Sequence, residues 1–419
     1  MPGAPARLSG YVGRGTAGPR GRVVTVARAA VAGCVLVVVG AVAACGASAS
    51  SGASSSAGPS AGASSGGSPA GSLATSFDTA GNDWAVVPMS SDLAFWEVFV
   101  RAAGSSAWRL VTPPGVADTG GLVAAAGGVN SLTVAVRPSQ DLLFSPVADT
   151  ADSGRTWSTG GPIGATVAAS PDALSAAGRR LVALLGNGTI ETSSTAGTTW
   201  STLATPGAIA ASAAGRGCGG TVRVTSLSFG PAGADVLAGG TCGAAGTGAL
   251  FSYSPSQDWQ RVSLPVAGPL VRLTGAMALV LSRSGLSALW AAQPRANGRP
   301  GAVSWSAPGT ALPISGFISA TGSLAGRAPA GAPGAWVLLS GGRAATIAAP
   351  APAGGAAPRW LLLPPVPSHT AVLASGPDGD TDALAVSGAT LTVWQLPPLA
   401  RRWSKVQTIG VPIQYGSSS

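Results

Sequence analysis

Thr150-Ala151-Asp152-Ser153-Gly154-Arg155-Thr156-Trp157 is the stretch that decides how this chain is read. It reads as a tight turn between two strands. Asp152 is placed to accept backbone N–H bonds inside the turn, as Asp does in an Asx-turn. Gly154 suits a residue whose φ is positive. Thr156 and Trp157 then open a strand, since both residue types favour a pleated, half-buried surface.

Trp157 is one of a series. Trp108, Trp157, Trp200, Trp259, Trp305, Trp360 and Trp403 follow one another at spacings of 49, 43, 59, 46, 55 and 43 residues. Such a period suits a blade of four short strands, and the two long spacings leave room for inserted loops. A second repeat marker has the same phase. Ser76-Phe77-x-x-Ala80-Gly81-x-Asp83 recurs as Ser228-Phe229-x-x-Ala232-Gly233-x-Asp235, which is 152 positions, or three repeats, later.

Each repeat also contains a hairpin preceded by a short apolar run. The clearest hairpin turns on Asn187-Gly188, the strongest short-range signal for one. The apolar runs at 73–77, 122–126, 165–169, 224–229, 270–273, 317–320 and 371–374 are read as innermost strands around a central channel. The composition agrees: 62 Gly and 33 Pro are dense punctuation, which fits many short strands and turns better than long helices.

The octet at 150–157 resembles the Asp-box, or BNR repeat, of the sialidase-type β-propellers, matching at Thr150, Asp152, Gly154, Thr156 and Trp157. The box decays along the chain. At 193–200 Thr195 stands where Asp belongs, at 252–259 only the first and last positions remain, and later repeats keep the Trp alone. The opening Phe77-x-x-Ala80-x-x-x-Trp84-Ala85-Val86 also resembles the photosystem II assembly-factor propellers. The resemblance implies an all-β chain: a seven-bladed β-propeller of four-stranded antiparallel blades, spanning 72–415 and followed by a disordered tail at 416–419. It implies architecture rather than activity, because the box is a structural turn in that family. A closed ring also removes the exposed sheet edges that an open stack would leave. The tail at 406–415 either latches onto the first blade, or the run at 73–77 already completes it.

The N-terminus reads as an address. Residues 1–28 are basic and rich in Gly and Pro, and 29–44 are almost wholly apolar. Sixteen residues are short for a membrane span and suit a signal segment. Val42-Ala43-Ala44-Cys45 resembles a bacterial lipobox, which implies a signal peptide at 1–44 and a lipid on Cys45; the alternative is an uncleaved single-pass anchor with the same topology. Residues 45–71, mostly Ser, Gly and Ala, have no side chains with which to build a core and read as a disordered, flexible tether. The localisation expected is therefore the extracytoplasmic face of the cell membrane, held by lipid.

The formal charge of +9 belongs mainly to that address. Five arginines precede Cys45 and no acidic residue does, so the remainder has 19 basic and 15 acidic side chains, about +4. No basic run with interleaved aromatics follows, which argues against nucleic acid.

Few residues offer chemistry. Cys218 and Cys242 flank the inner strand and first hairpin strand of the fourth repeat. They are either a disulfide, which an oxidising compartment favours, or two buried thiols. The single histidine, His369, reads as a loop residue. Asp378, Asp380 and Asp382 begin a calcium-loop spacing that fails at Ala383 and Ala389, so they read as an acidic turn. No metal and no cofactor is expected. A sialidase-like glycan hydrolase would need paired carboxylates, yet Glu97 and Glu191 are the only glutamates and both fall on third strands. No catalytic residue is assigned, and an enzyme is the weaker reading. The leading expectation is a non-catalytic binding or scaffold module for an envelope protein or glycan; the alternatives are that hydrolase or an assembly factor for a membrane complex. Loops at 243–248, 293–301 and 322–335 are the candidate contact surfaces.

Overall fold

A computed structural model describes residues 75–412, apart from 78–80, 90–95, 115–120, 138–142, 165–168, 232, 275–276, 293–294, 297–298, 301–303, 308, 316–318, 323–332 and 349–356. The signal segment, Cys45, the tether at 45–71 and the tail at 416–419 lie outside the described residues.

Seven four-stranded antiparallel sheets follow one another along the chain, each from contiguous sequence. Blade one has strands Thr75–Phe77, Asp83–Pro88, Trp96–Arg101 and Trp108–Leu110, in that spatial order. Blade two has Leu122–Ala126, Leu132–Val136, Val147–Thr150 and Ser158–Thr159. Blade three has Pro171–Ala177, Arg180–Leu185, Ile190–Ser193 and Ser201–Ala204. Blade four has Val222–Phe229, Val236–Cys242, Thr247–Ser254 and Asp258–Val262. Blade five has Leu270–Thr274, Met277–Ser282, Gly285–Ala292 and Ser304–Ser306. Blade six has Ser319–Gly322, Pro333–Leu339, Arg343–Ala348 and Trp360–Leu362. Blade seven has Thr370–Ser375, Thr381–Ser387, Thr390–Leu396 and Ser404–Gly410.

The middle strands read as continuous apolar runs because both of their faces are covered. In blade one, Trp84 and Val86 pack with Leu122, Ala124 and Val134 of blade two. The alternating Ala85 and Val87 pack with Val372, Leu384 and Val393 of blade seven. Successive side chains on a strand point to opposite faces, so each blade is glued to both neighbours. The same arrangement gives one apolar cluster at every seam around the ring.

The ring closes without strand exchange. Blade one is complete with Thr75–Phe77, and Ser404–Gly410 is the outer strand of blade seven. Of the two alternatives, the inner run completes blade one, and no latch by the C-terminal segment occurs among the described residues. Val411 instead buries its side chain in the seam between blades seven and one.

The tryptophan series marks the outer strands. Trp108 and Trp360 open them, Trp259 and Trp305 lie second in theirs, and Trp157, Trp200 and Trp403 stand one residue before. Two inner strands differ from expectation. Blade three's runs over Pro171–Ala177 rather than 165–169, beginning on a proline with a register shift between Pro171 and Ala173. Proline is tolerated at the first residue of a strand or at a bulge. Blade six's runs over Ser319–Gly322 rather than 317–320.

Two short helices, Pro206–Ala211 and Ala213–Arg216, interrupt the β architecture before blade four. Thr205 caps the first through its side chain, with Pro206 at the start, and Ser212 caps the second. Both patterns satisfy orphan N–H groups at helix starts. Cys218 and Cys242 form a disulfide that pins this insertion to the end of blade four's second strand. Ile209 and Ala214 are buried beside it.

Candidate functional site

The inner strands meet around the axis, each against the next blade's. Polar side chains gather where several of them begin. Arg137 follows blade two's second strand, and its N–H donates to Gly121, just before the inner strand. Its guanidinium donates to Asp172, the second residue of blade three's inner strand, at 2.8 Å. Arg223, second in blade four's inner strand, also acts on Asp172: burial raises that carboxyl above its ordinary value, and the two arginines oppose the rise. Arg223 itself is exposed. On blade five's inner strand, Arg272 is half-buried, and desolvation lowers its pKa. Two guanidiniums therefore face one carboxylate across blades two to four, with a third cation on the next inner strand.

His369 is exposed just before blade seven's inner strand, at φ 61°, and its carbonyl accepts from Val386 N–H. Glu97 and Glu191 lie on third strands and are buried. Thr112 donates its hydroxyl to Glu97, and Thr202 to Glu191 at 2.8 Å. Burial raises both carboxyls, the hydrogen bonds partly opposing it. These two glutamates tie the third strand to the chain of the outer strand and do not approach one another. Among the described residues, no group of three or more His, Cys, Asp or Glu side chains could hold a metal ion.

The turn at 150–157 is closed by side chains. Asp152 Oδ1 accepts from the N–H groups of Arg155 at 3.0 Å and Thr156 at 2.9 Å, while Thr156 Oγ1 donates to Oδ2 at 2.6 Å. These bonds, Thr156's first, hold the Asp152 carboxyl down at about 2. Gly154 takes φ 75° with Val111 against it, and the Trp157 indole donates to Val111 O at 2.8 Å. In the turn before Trp200, Thr195 takes over part of this bonding, and its hydroxyl accepts from Thr199 N–H at 2.9 Å. Both turns carry a structural role at the outer edge.

Asp382 is where sequence reasoning missed most. Its spacing groups it with Asp378 and Asp380 as one acidic turn, but its side chain is almost fully buried between blades seven and one. The Trp108 indole donates to its Oδ2 at 2.9 Å, and Arg101 Nε lies 3.8 Å from the same oxygen. Arg101 also pairs with Asp83 and donates to Ser375 O at 2.8 Å. Burial pushes the Asp382 carboxyl up to about 6 despite these partners. This network joins the first and last blades and acts as a structural clasp.

A groove of about 1130 Å³ opens between the outer strand of blade six and the turns of blade seven. Leu361, Leu362, Leu399, Arg359, Arg401 and Asp378 border it. Of the three loops expected to make contacts, 243–248 lies at the same end of its blade as the arginines. The other two, partly outside the described residues, join third to outer and inner to second strands, which places them at the opposite end. The three loops do not form one surface.

No family model matches the chain, and no curated protein matches it. Among solved structures, "YCF48 bound to D1 peptide" aligns over 76% of this chain and 90% of that chain, at 18% identity and TM-score 0.43. YCF48 from Cyanidioschyzon merolae aligns over 78% and 96%, at 14% identity and TM-score 0.46. The periplasmic gluconolactonase PpgL of Pseudomonas aeruginosa aligns over 78% and 95%, at 16% identity and TM-score 0.48. The likeness is one of fold and says nothing of ligand or activity. What the chain's own residues establish is a seven-bladed propeller that brings Arg137, Asp172 and Arg223 of three successive blades together at one end of the inner strands.

Proposed function

We propose that this propeller is a lipid-anchored, extracytoplasmic module that binds an envelope component, a protein or glycan bearing an anionic group, without turning it over. One observation carries the reading: Arg137 and Arg223 both act on Asp172 where the inner strands begin, two cations against one anion among these described residues. Guanidinium groups suit carboxylate and phosphate because their donors form a planar fork. The rigid blades hold these side chains on strand ends, so little ordering is required on binding. The lipobox-like run ending at Cys45 and the Ser/Gly/Ala tether supply the address.

A photocrosslinker at position 223, used in intact envelopes, tests the binding. A discrete adduct is expected that weakens with Arg137→Ala and is missing when the crosslinker stands at Val129, in the turn at the opposite end of blade two. The same adduct pattern from both positions would reject the site. Labelling with a radioactive fatty acid tests the anchor: incorporation should vanish in Cys45→Ala.

A further inference from the structure

We propose that the rim of blades six and seven rests on an anionic bilayer surface, with Leu361, Leu362 and Leu399 entering the interface and Arg359, Arg401 and Arg402 meeting lipid phosphates. Leu361 and Leu362 form most of blade six's outer strand and are 57% and 59% exposed; Leu399, in blade seven's turn, is 95% exposed. Leu399 stands at φ 65° beyond Pro397 and Pro398, in a turn closed by Ala400 N–H donating to Pro397 O at 3.0 Å. A leucine held so exposed at the tip of a proline-stiffened turn, with none of the described residues folded over it, gains little from the fold.

The charges around it have one sign for the most part. Arg359 and Arg401 border the same groove and Arg402 follows in the chain; all three are exposed. Among the described residues none of the three has an ion-pair partner. Lys405 is exposed on the adjoining outer strand. The acidic groups that face them are Asp378, exposed at the groove, and the half-buried Asp380.

Leucines bordered by basic side chains match an anionic interface, where apolar groups enter the acyl boundary and cations remain at the headgroups. A protein partner is the weaker fit, because Leu is under-represented among hot spots of protein interfaces, which cluster in well-packed central pockets. The patch offers aliphatic tips on an outer rim instead. The inference rests on the tethered reading above for its supply of nearby membrane.

The test uses the full processed chain with an environment-sensitive fluorophore on Leu399→Cys or, as control, on Asn187→Cys at the hairpin tip. Each is mixed with phosphatidylcholine vesicles or with vesicles containing three parts in ten of phosphatidylglycerol. The label at 399 is expected to shift to the blue only with phosphatidylglycerol, and to be quenched by brominated acyl chains. Molar salt, or Arg359→Glu with Arg401→Glu and Arg402→Glu, should reverse the shift, while the label at 187 stays unchanged. Sedimentation with plain phosphatidylcholine vesicles reads the tether separately. A chain that sediments there while its label at 399 stays aqueous on phosphatidylglycerol keeps the tether and overturns the rim. A chain that fails to sediment but shifts at 399 on phosphatidylglycerol loses the tether and keeps the rim. A label at 399 that stays aqueous on every vesicle, but is shielded by protein in envelope extracts, overturns the lipid reading and assigns the groove to a protein.

Discussion

Gln407, on the outer strand of the last blade, brackets the backbone of Trp108 on the outer strand of the first. The Trp108 N–H donates to Gln407 Oε1 at 2.8 Å, and Gln407 Nε2 donates to the Trp108 carbonyl at 2.8 Å. A side-chain amide thus stands in for the backbone of a shared strand. Gln407→Ala removes both bonds, for a loss of about 1–3 kcal/mol at a typical net value per bond. Chemical denaturation measures the loss, and hydrogen exchange should locate the loosening in Asp83–Arg101. A loss spread evenly over all seven blades would contradict this.

Asp382 gives the clasp a pH dependence. Its folded carboxyl lies at about 6 against an ordinary 3.8, burial being the main cause. The folded protein therefore holds this proton more tightly than the unfolded chain. The stability it contributes is complete below pH 3.8 and is lost as pH rises through 6, an effect of about 3 kcal/mol at most. Burial raises Glu97 and Glu191 in the same sense. The melting temperature should be higher at pH 5 than at pH 8, and Asp382→Asn should shrink the difference. Asp152 acts oppositely: its contribution is present above the ordinary carboxylate value and fades as pH falls through about 2.

Two buried tryptophans should respond differently to loss of the indole N–H. Trp108→Phe deprives the buried Asp382 of its donor, a cost of about 1–3 kcal/mol from the unmade hydrogen bond. The Trp259 Nε1 has no hydrogen-bond partner among the described residues. Trp259→Phe should cost only the cavity that both substitutions leave in the core, and so less than Trp108→Phe. Parallel urea titrations compare them, and equal losses would refute the role given to Asp382.

The turn before Trp200 can be improved. Thr195→Asp replaces one accepting hydroxyl by a carboxylate able to receive Thr198 and Thr199 N–H as Asp152 receives Arg155 and Thr156. Hydrogen bonds to an ionised acceptor are stronger than neutral ones. Thr195→Asp should raise the melting temperature at pH 7 and lose that gain near pH 2; Asp152→Ala should lower it.

The disulfide between Cys218 and Cys242 spans 24 residues of sequence. Closing such a loop contributes about 3 kcal/mol in the chain-entropy account. Cys218→Ser with Cys242→Ser, or reduction of the native bond, should lower stability by that order and expose Pro206–Arg216 to proteolysis first.

The repeat was legible because its markers act locally. Asp152 bonds residues three and four ahead, and the Asn187-Gly188 turn needs only Gly188 at φ 83° and the Leu185 N–H donating to Thr189 O. The helices at 206–216 were not legible, since an Ala/Gly-rich segment has no apolar period and only Thr205 and Ser212 mark its starts. The strand from Pro171 was hidden by its proline. Asp382 with Trp108, and Arg137 with Asp172, are joined by the ring alone. No pattern along the chain announces a pair 274 residues apart.

Each blade is built from neighbouring sequence, and among the described residues side chains join the last blade to the first. Contacts close in sequence form quickly because little loop entropy opposes them. A chain emerging from a ribosome or a translocation pore could therefore finish its blades one by one, from Thr75 onward. Nothing near the start has to wait for the end except the closing seam, where Ser375, Asp382 and Gln407 reach Arg101 and Trp108 and Val411 fills the gap beside them.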